Sequence, residues 1–583
     1  MHQKIIKPLA LGITLAGSCV TAAEQVTDAI APEATSAVQA TSEVTAAQYI
    51  VAAAHPLASE AGYRVLQQGG SAIDAMVAVQ TVLGLVEPQS SGLGGGAFLV
   101  YYDAESGKLT TFDGRETAPL AATPELFLKD GQPLKFYDAV VGGRSVGTPG
   151  TVKLLGDTHA KFGKLAWSDL LAPAAELARE GFTVSERLAS AIAKDRDRLY
   201  RYPVTRAYFF NADGSPLQTG QTLTNEAYAA TLDTLATKGA DAFYFGSIAE
   251  DIVATVTGAE GNPGVLALQD FSVYRIKERA PVCGGFMSYE VCGMGPPSSG
   301  ALTVGQILGI ADQFRMQQRS ADDPVSWQII GDASRLAFAD RGRYMADTDY
   351  VPMPSGLLDE SYLKSRAALI KPGEALSEVA PGEPSWENAV SLADDESIEL
   401  PSTSHFVIRD AKGNIVSMTT TIENGFGSRL MSNGFLLNNE LTDFSFRAHK
   451  DGLPIANRVE PGKRPRSSMS PTIVMKDGVP YMAVGSPGGS RIIGYVSSAL
   501  IRHLAWGESL DSAFNSPHAV NRFGTYDVEL GAQSDGLATS LEGMGFKVNR
   551  RDLNSGLHGF VIKPDGTMVG AADKRREGVV LGD

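Results

Sequence analysis

The sequence predicts an α+β protein built as a layered sandwich, with helices packed around antiparallel sheets. Apolar residues recur at helical spacing in several separate blocks, while alternating, β-branched runs lie in both halves of the chain. The segment SAIDAMVAVQTVLGLVEP is apolar nearly all round, which predicts a helix enclosed within the molecule.

Taken in order, MHQKIIKPLALGITLAGSCVTAAEQ reads as a secretory leader over residues 1–23. Lys4 and Lys7 supply its positive start, Leu9 to Gly17 a short apolar core, and small residues surround a cleavage point at Ala23. The apolar run is too short to span a bilayer. Cys19 follows Leu-Ala-Gly-Ser, which resembles a bacterial lipoprotein signal with one residue too many. Anchoring through a lipid on Cys19 therefore stays open beside simple cleavage. The mature body is expected to be soluble and exported, in the periplasm or outside the cell. Residues 24–48, rich in Ala, Thr, Ser and Glu, read as a low-complexity tether.

PLASEAGYRVLQQGG then predicts a helix stopped at Gly69-Gly70, and Ser71 is placed to cap the enclosed helix that follows. SSGLGGGAFLVYY turns to a strand. Residues 150–255 are mostly helical in pattern, and helices resume at ALTVGQILGIADQF and SWQIIGDASRLAFADRGRYM. Two local motifs are set aside. Gly92, Gly94 and Ala97 satisfy the dinucleotide fingerprint literally, but a strand follows where a helix is required. GRSVG, Gly143 to Gly147, matches the serine-hydrolase elbow, yet TPGT follows Gly147 in place of a helix.

The body has ordinary globular composition, 43% hydrophobic and 20% charged, at a net charge of −16. With no basic tail or stripe, nucleic acid is excluded as the main partner. Cys283 and Cys292, the two cysteines after the leader, bracket CGGFMSYEVC and are expected to form a local disulfide after export. Two cysteines without a neighbouring histidine supply too few ligands for a metal, and none is expected.

Between Lys371 and Ser402 lie eight Asp or Glu and no Lys or Arg, interrupted by Pro and Gly, which predicts an exposed, mobile run. At its end PSTSHFVIRD turns abruptly to alternation, and AKGN followed by IVSMTTTI completes a hairpin. A threonine at this boundary has a chemical reading. If the chain is cut between Ser402 and Thr403, Thr403 carries both a hydroxyl nucleophile and its own α-amine. An α-amine with a pKa of about 8 can serve as general base without a histidine. Further strands follow at SPTIVMKDGVPYMAVGS and GFVIKPDGTMVGAAD, with the helix RIIGYVSSALIRHLAW between them.

The segments GGSAIDAMVA, GLGGGAF, DGRETAP, VGTPG, PPSSGA, TSHFVI, GFLLNNELTDF, KRPRSSMSPTIV and GSPGGSRII run in order from about residue 50 to the end. Together they resemble the gamma-glutamyltranspeptidases, or glutathione hydrolases, of the N-terminal-nucleophile hydrolase superfamily. The resemblance implies a four-layer αββα sandwich, a large subunit 49–402 and a small subunit 403–583 cut from one precursor and held as a heterodimer. It implies Thr403 as nucleophile, Thr421 as its hydrogen-bonding partner, and an oxyanion hole at Gly488 and Gly489. For the substrate's free end it implies Arg115, Ser467 and Ser468 against the carboxylate. Glu440, Asp443 and Glu423, the last where some members carry asparagine, face the ammonium. Small γ-glutamyl amides are the implied substrates, water or amino acids and peptides the acceptors, with no cofactor.

Three departures stand out. Ser404 replaces the commoner threonine after the nucleophile. Arg466 stands where the family has leucine and is expected to reinforce carboxylate binding or alter acyl choice. The stretch 445–462 occupies a region that forms a lid in some members. An acylase for glutaryl side chains is the competing enzyme, but a glutaryl group lacks the ammonium that the acidic residues await. A non-catalytic binding protein on the same fold would have no use for Thr403, Thr421 and the glycine pair together.

Overall fold

The two segments that meet at the TSH boundary lie at the centre of the molecule. The computed structural model describes residues 42–395, 397 and 399–583. The leader, Cys19 and most of the tether lie outside the described residues. Ser404–Arg409 and Ile415–Thr421 form the predicted hairpin. Its turn is closed by Asp410, whose carboxylate accepts from the Lys412 and Asn414 amides at 2.9 and 3.0 Å. This hairpin forms the middle of a seven-stranded antiparallel sheet, flanked by Ile50–Ala53 on one side and Gly96–Asp103 on the other. A second seven-stranded sheet, with Thr472–Lys476 and Val479–Gly485 near its centre, lies behind it.

Alternation along the strands explains the stacking. Ile50, Ala52, Val100, Tyr102, Val407 and Ile415 point from the first sheet into a shared core with Ile473, Met475, Ala483 and Phe560 of the second. Their neighbours Val51, Leu99, Phe406, Ile408 and Met418 face the opposite way, onto helices Pro56–Gln67 and Ala72–Val86. Val474, Met482 and Val484 of the second sheet face helices Gly300–Asp312, Pro324–Tyr344 and Arg491–Leu500. The result is four layers, α-β-β-α, as the resemblance implied. A one-residue slip in any central strand would send its apolar set to the wrong face.

The Ala72–Val86 helix is buried at every position, and Ser71 and Asp74 cap it reciprocally. The glycines of GLGGGA serve close packing. A Cβ on Gly95 would lie 2.0 Å from the Thr421 carbonyl oxygen, and one on Gly96 would lie 2.2 Å from a Glu116 oxygen. Ser145 of GRSVG is buried and donates to the Val140 carbonyl at 2.7 Å, leaving it no role as a nucleophile. Cys283 and Cys292 sit in register on the edge hairpin Val282–Phe286/Tyr289–Gly293 and are joined as a disulfide.

One boundary needs correction. Val44–Ala46, read from composition as tether, forms the outermost strand of the second sheet against Met568–Gly570. Backbone pairing to an open sheet edge makes few demands on side chains, so composition does not reveal it. No helix among the described residues is long and apolar enough to cross a membrane.

Candidate active site

Antiparallel register puts Thr403, just before its strand, beside Thr421 at the end of the neighbouring strand. Their hydroxyl oxygens are 3.3 Å apart. Both donate to one acceptor, the carbonyl oxygen of Ser402: Thr421 at 3.0 Å, and Thr403 in a short contact. The Glu423 amide donates to the Thr421 hydroxyl at 2.9 Å and fixes that rotor. The Ser402–Thr403 peptide is buried. Behind it, Ser404 donates to Glu87 at 2.8 Å, and Glu87 is paired with Arg187, so a serine hydroxyl is fully used at the departure from threonine.

The SPGGS turn closes over this peptide. Gly488 and Gly489 have φ of 132° and 60°, values that side-chain-bearing residues rarely adopt. A Cβ on Gly489 would stand 2.7 Å from the Leu400 carbonyl oxygen. Gly489 lines the same cavity as Thr403 and Thr421; Gly488 packs instead toward Tyr495.

Arg115, Glu423, Glu440, Asp443, Ser467 and Ser468 line that cavity too. The structure thus gathers residues from six separate stretches of chain, around Arg115, Thr403, Thr421, Glu440, Ser467 and Gly489. Their pairing differs from a simple division between carboxylate and ammonium ligands. Arg115 donates to Glu440, to Asp443 at 2.5 Å, and to the Pro465 and Arg466 carbonyls at 3.1 and 2.8 Å. Burial pushes the Glu423, Glu440 and Asp443 carboxyls well above their usual range. Arg115 offsets only part of this, because one guanidinium faces several acids.

Glu116, which interacts with Arg115 and Glu440 without being among the residues that line the cavity, escaped sequence reading, and burial pushes it up to about 8. An acid raised in the folded state binds its proton there while the unfolded chain, titrating near ~4.3, has lost it. Its stabilising contribution is therefore full below that pH and disappears as pH rises through about 8. Melting temperatures of wild type and Glu116→Gln, taken from pH 5 to 8.5, should diverge with rising pH as the wild type weakens. A gap that stays constant across the range would rule this out.

The serine pair meets two further residues that sequence reading missed. Ser468 donates to Glu399 at 2.5 Å and accepts from Arg341 at 2.8 Å, while Arg341 also pairs with Glu399. Burial alone would raise the Glu399 carboxyl, yet the Arg341 and Arg466 guanidiniums hold it below its usual range. The Ser467 hydroxyl accepts from the Met469 amide at 3.1 Å, and its carbonyl accepts from Ser299, so PPSSGA buttresses the pair.

Two expectations change here. Arg466 does not reach into the cavity; it donates to Asp395 at 2.7 Å and Ser397 at 2.9 Å, gripping the acidic run from behind. The run itself is not exposed to its end, because Leu392, Glu399, Leu400 and Ser402 are buried. Its Glu399 and Asp395 carboxylates are drawn inward by Arg341 and Arg466. Within 445–462, a short hairpin, His449–Lys450 with Leu453–Pro454, lies against this run, and the Ala393 amide donates to the Pro454 carbonyl at 3.0 Å.

Two stacked antiparallel sheets between helical layers, with a hydroxyl residue heading a central strand, define the N-terminal-nucleophile hydrolase class. Within it, the chain belongs to the gamma-glutamyltranspeptidase family, whose model matches residues 58–583. The glutathione hydrolase proenzyme of Bacillus subtilis (strain 168) is 38% identical over 543 residues, covering 91% of this chain and 90% of that protein. The acylase ACY 1 proenzyme of Pseudomonas sp. (strain SE83) is 33% identical over 534 residues, 90% of this chain and 91% of that one. Among solved structures, a cephalosporin acylase from Bacillus halodurans superposes with a TM-score of 0.83 at 25% identity, covering 94% of this chain and 97% of that chain. The chain is thus an enzyme of a family whose members include both hydrolases of glutathione and acylases.

Proposed function

We propose that this protein cuts itself between Ser402 and Thr403 and then transfers or hydrolyses the γ-glutamyl group of glutathione and related amides. The supporting observation for the first step is that both threonine hydroxyls meet at the Ser402 carbonyl. The Thr403 Oγ1 attacks the Ser402 carbonyl carbon, and Thr421 donates to the oxygen on which negative charge develops. The C–N bond breaks and its nitrogen takes the hydroxyl proton. Water then hydrolyses the resulting ester, leaving a Ser402 carboxylate and a free Thr403 amine.

In the second step that amine accepts the proton from Oγ1 as it attacks the substrate's γ-carbonyl. Amides of the Gly488-Gly489 turn receive the oxyanion; losing one such donor costs ~3 kcal/mol. The leaving amine departs with the proton, and water or an amino acid resolves the acyl-enzyme. Residues 49–402 and 403–583 stay together as a heterodimer, consistent with the hairpin of the later piece lying between strands of the earlier one.

The placement of Glu423, Glu440 and Asp443 in one cavity with Arg115 supports the choice of γ-glutamyl over glutaryl. An ammonium balances buried negative charge that a glutaryl group would leave unmatched. The leader and the disulfide support export, with attachment through Cys19 as the alternative to free release.

Acid quenching during glutathione turnover should trap the fragment that begins at Thr403 with one γ-glutamyl residue added, read by intact mass. Steady turnover with no adduct, or an adduct on the other fragment, would refute the threonyl route. Turnover of glutaryl amides alone would promote the acylase reading.

A further inference from the structure

We propose that Arg576 is a positioning residue of the cut enzyme: it holds the Thr403 main-chain carbonyl, and its charge keeps the freed α-amine unprotonated near neutral pH. The inference deepens the γ-glutamyl reading and rests on it for the cut and for the amine as general base. Thr403 stands just before its strand, whose register begins at Ser404. Its carbonyl accepts from Arg576 Nη1 at 3.2 Å, 173 positions along the chain. Arg576 is fully buried. Once the Ser402–Thr403 bond is broken, Thr403 is joined to the chain on its carbonyl side alone. Fixing that carbonyl therefore aims the hydroxyl and the amine together.

The same arginine ties the nucleophile to the glycine turn. Its Nε donates to Asn554 Oδ1 at 3.0 Å. Its side chain packs so closely on Gly556 that a Cβ there would stand 2.5 Å from Arg576 Cδ and 3.0 Å from Pro487 Cγ. Gly556 has φ of 69°, and its amide donates to Asp573 at 2.9 Å. The carbonyl of Ser555 accepts at 2.9 Å from the hydroxyl of Ser486, two residues before Gly488. All these groups lie in 403–583, so the cut leaves the assembly within one fragment. Arg576 does not line the cavity and acts through Thr403.

Covalent geometry keeps the Thr403 nitrogen within ~4 Å of its own carbonyl oxygen, so Arg576 Nη1 lies within ~7 Å of the amine. A buried cation at that range disfavours the ammonium and lowers the amine's pKa from its ordinary value of about 8. Other charges face the same region. Glu87, paired with Arg187, lies behind Ser404, and Glu577, next in the chain to Arg576, accepts from Ser185. Asp573 is paired with Arg575. His405 and His558 are pushed down by burial and carry no charge at neutral pH. Glu423, Glu440 and Asp443 line the cavity with Arg115, and Glu399 enters it with Arg341 and Arg466 behind. The acids favour the ammonium, and Arg576 opposes them from the carbonyl side. Deleting its charge therefore raises the amine's pKa and moves the acid limb of kcat/KM to higher pH.

The test reads the amine directly. Cyanate carbamylates only the unprotonated amine, and its rate against pH is followed in cut protein on the tryptic peptide TSHFVIR, Thr403 to Arg409. In wild type the midpoint should fall below that of the free peptide TSHFVIR. A midpoint at or above it would overturn the electrostatic role on wild type alone, whether or not the variants are cut. Arg576→Gln, neutral but still a donor, should raise this midpoint and the acid limb of kcat/KM on a γ-glutamyl anilide together, by about one pH unit. Arg576→Lys keeps the cation and should stay within about 0.3 unit, yet lower kcat about tenfold because the fork to Thr403 and Asn554 is lost. A merely structural role would lower activity in both variants and move neither midpoint. Equal midpoints in wild type and Arg576→Gln would overturn the proposal, and an unchanged kcat in Arg576→Lys would overturn the positioning of the carbonyl. Failure of the threonyl reading has its own signature: turnover that persists once the TSHFVIR amine is fully blocked.

Discussion

Thr403→Ala protein is expected to remain one chain and to hydrolyse γ-glutamyl amides about 10⁴-fold or more slowly than wild type. One atom accounts for both losses. In the proposed mechanism, absence of Oγ1 means no attack on the Ser402 carbonyl, so the α-amine proposed as general base is never released. Without Oγ1 there is also no acceptor for the acyl group. Thr421→Ala separates the two roles. It keeps the nucleophile but removes the donor 3.0 Å from the Ser402 carbonyl oxygen, so cutting should slow rather than stop. Denaturing gels over time, with N-terminal sequencing of the smaller fragment, provide the measurement. That fragment should read TSHFV and hold 181 residues, 583 minus 402. Cutting of Thr403→Ala at the wild-type pace would remove the basis of the mechanism.

Features that depend on local pattern were legible in the sequence. The hairpin on either side of AKGN, the enclosed helix after Ser71 and the strand in GLGGGAF follow from periodicity and turn chemistry. They survive because each burial pattern agrees with its local propensity. The αββα layering and the grouping of Arg115, Glu440, Asp443 and the serines came from matched segments, since periodicity says nothing about which distant strands stack.

What escaped was pairing over distance and direction. Arg341 and Glu399 meet across 58 positions, and neither lies in a motif that announces a partner. Buried Arg341 sits on a helix whose polar and apolar residues are interleaved, so the pattern does not single it out. Arg466 was misjudged because it is adjacent to Ser467. Arg466 turns toward Asp395 while Ser467 and Ser468 line the cavity, so adjacency in sequence did not place the arginine in the site. An acidic run also reads as solvated wherever the sequence hides the cations that receive it.

Asp443→Asn is expected to lower kcat/KM on a γ-glutamyl anilide by about a hundredfold to a few thousandfold, and to change a matched glutaryl anilide far less. Asparagine keeps the shape and one acceptor but not the charge. Leaving a desolvated ammonium without its partner costs ~3–5 kcal/mol, and each 1.36 kcal/mol is about tenfold in rate. The variant also weakens the contact to Arg115 Nη2, 2.5 Å away in the wild type. That loss is common to both substrates, so the ratio of the two effects isolates the ammonium. Glu440 and Glu423 remain nearby with carboxyls held high by burial. Removing one like charge lowers the penalty on ionising the others, which caps the loss below that of an isolated pair. Steady-state kinetics of both proteins on both anilides at one pH provide the comparison. Equal losses on the two substrates would mean that Asp443 acts through Arg115 alone, and the pairing with substrate would have to be abandoned.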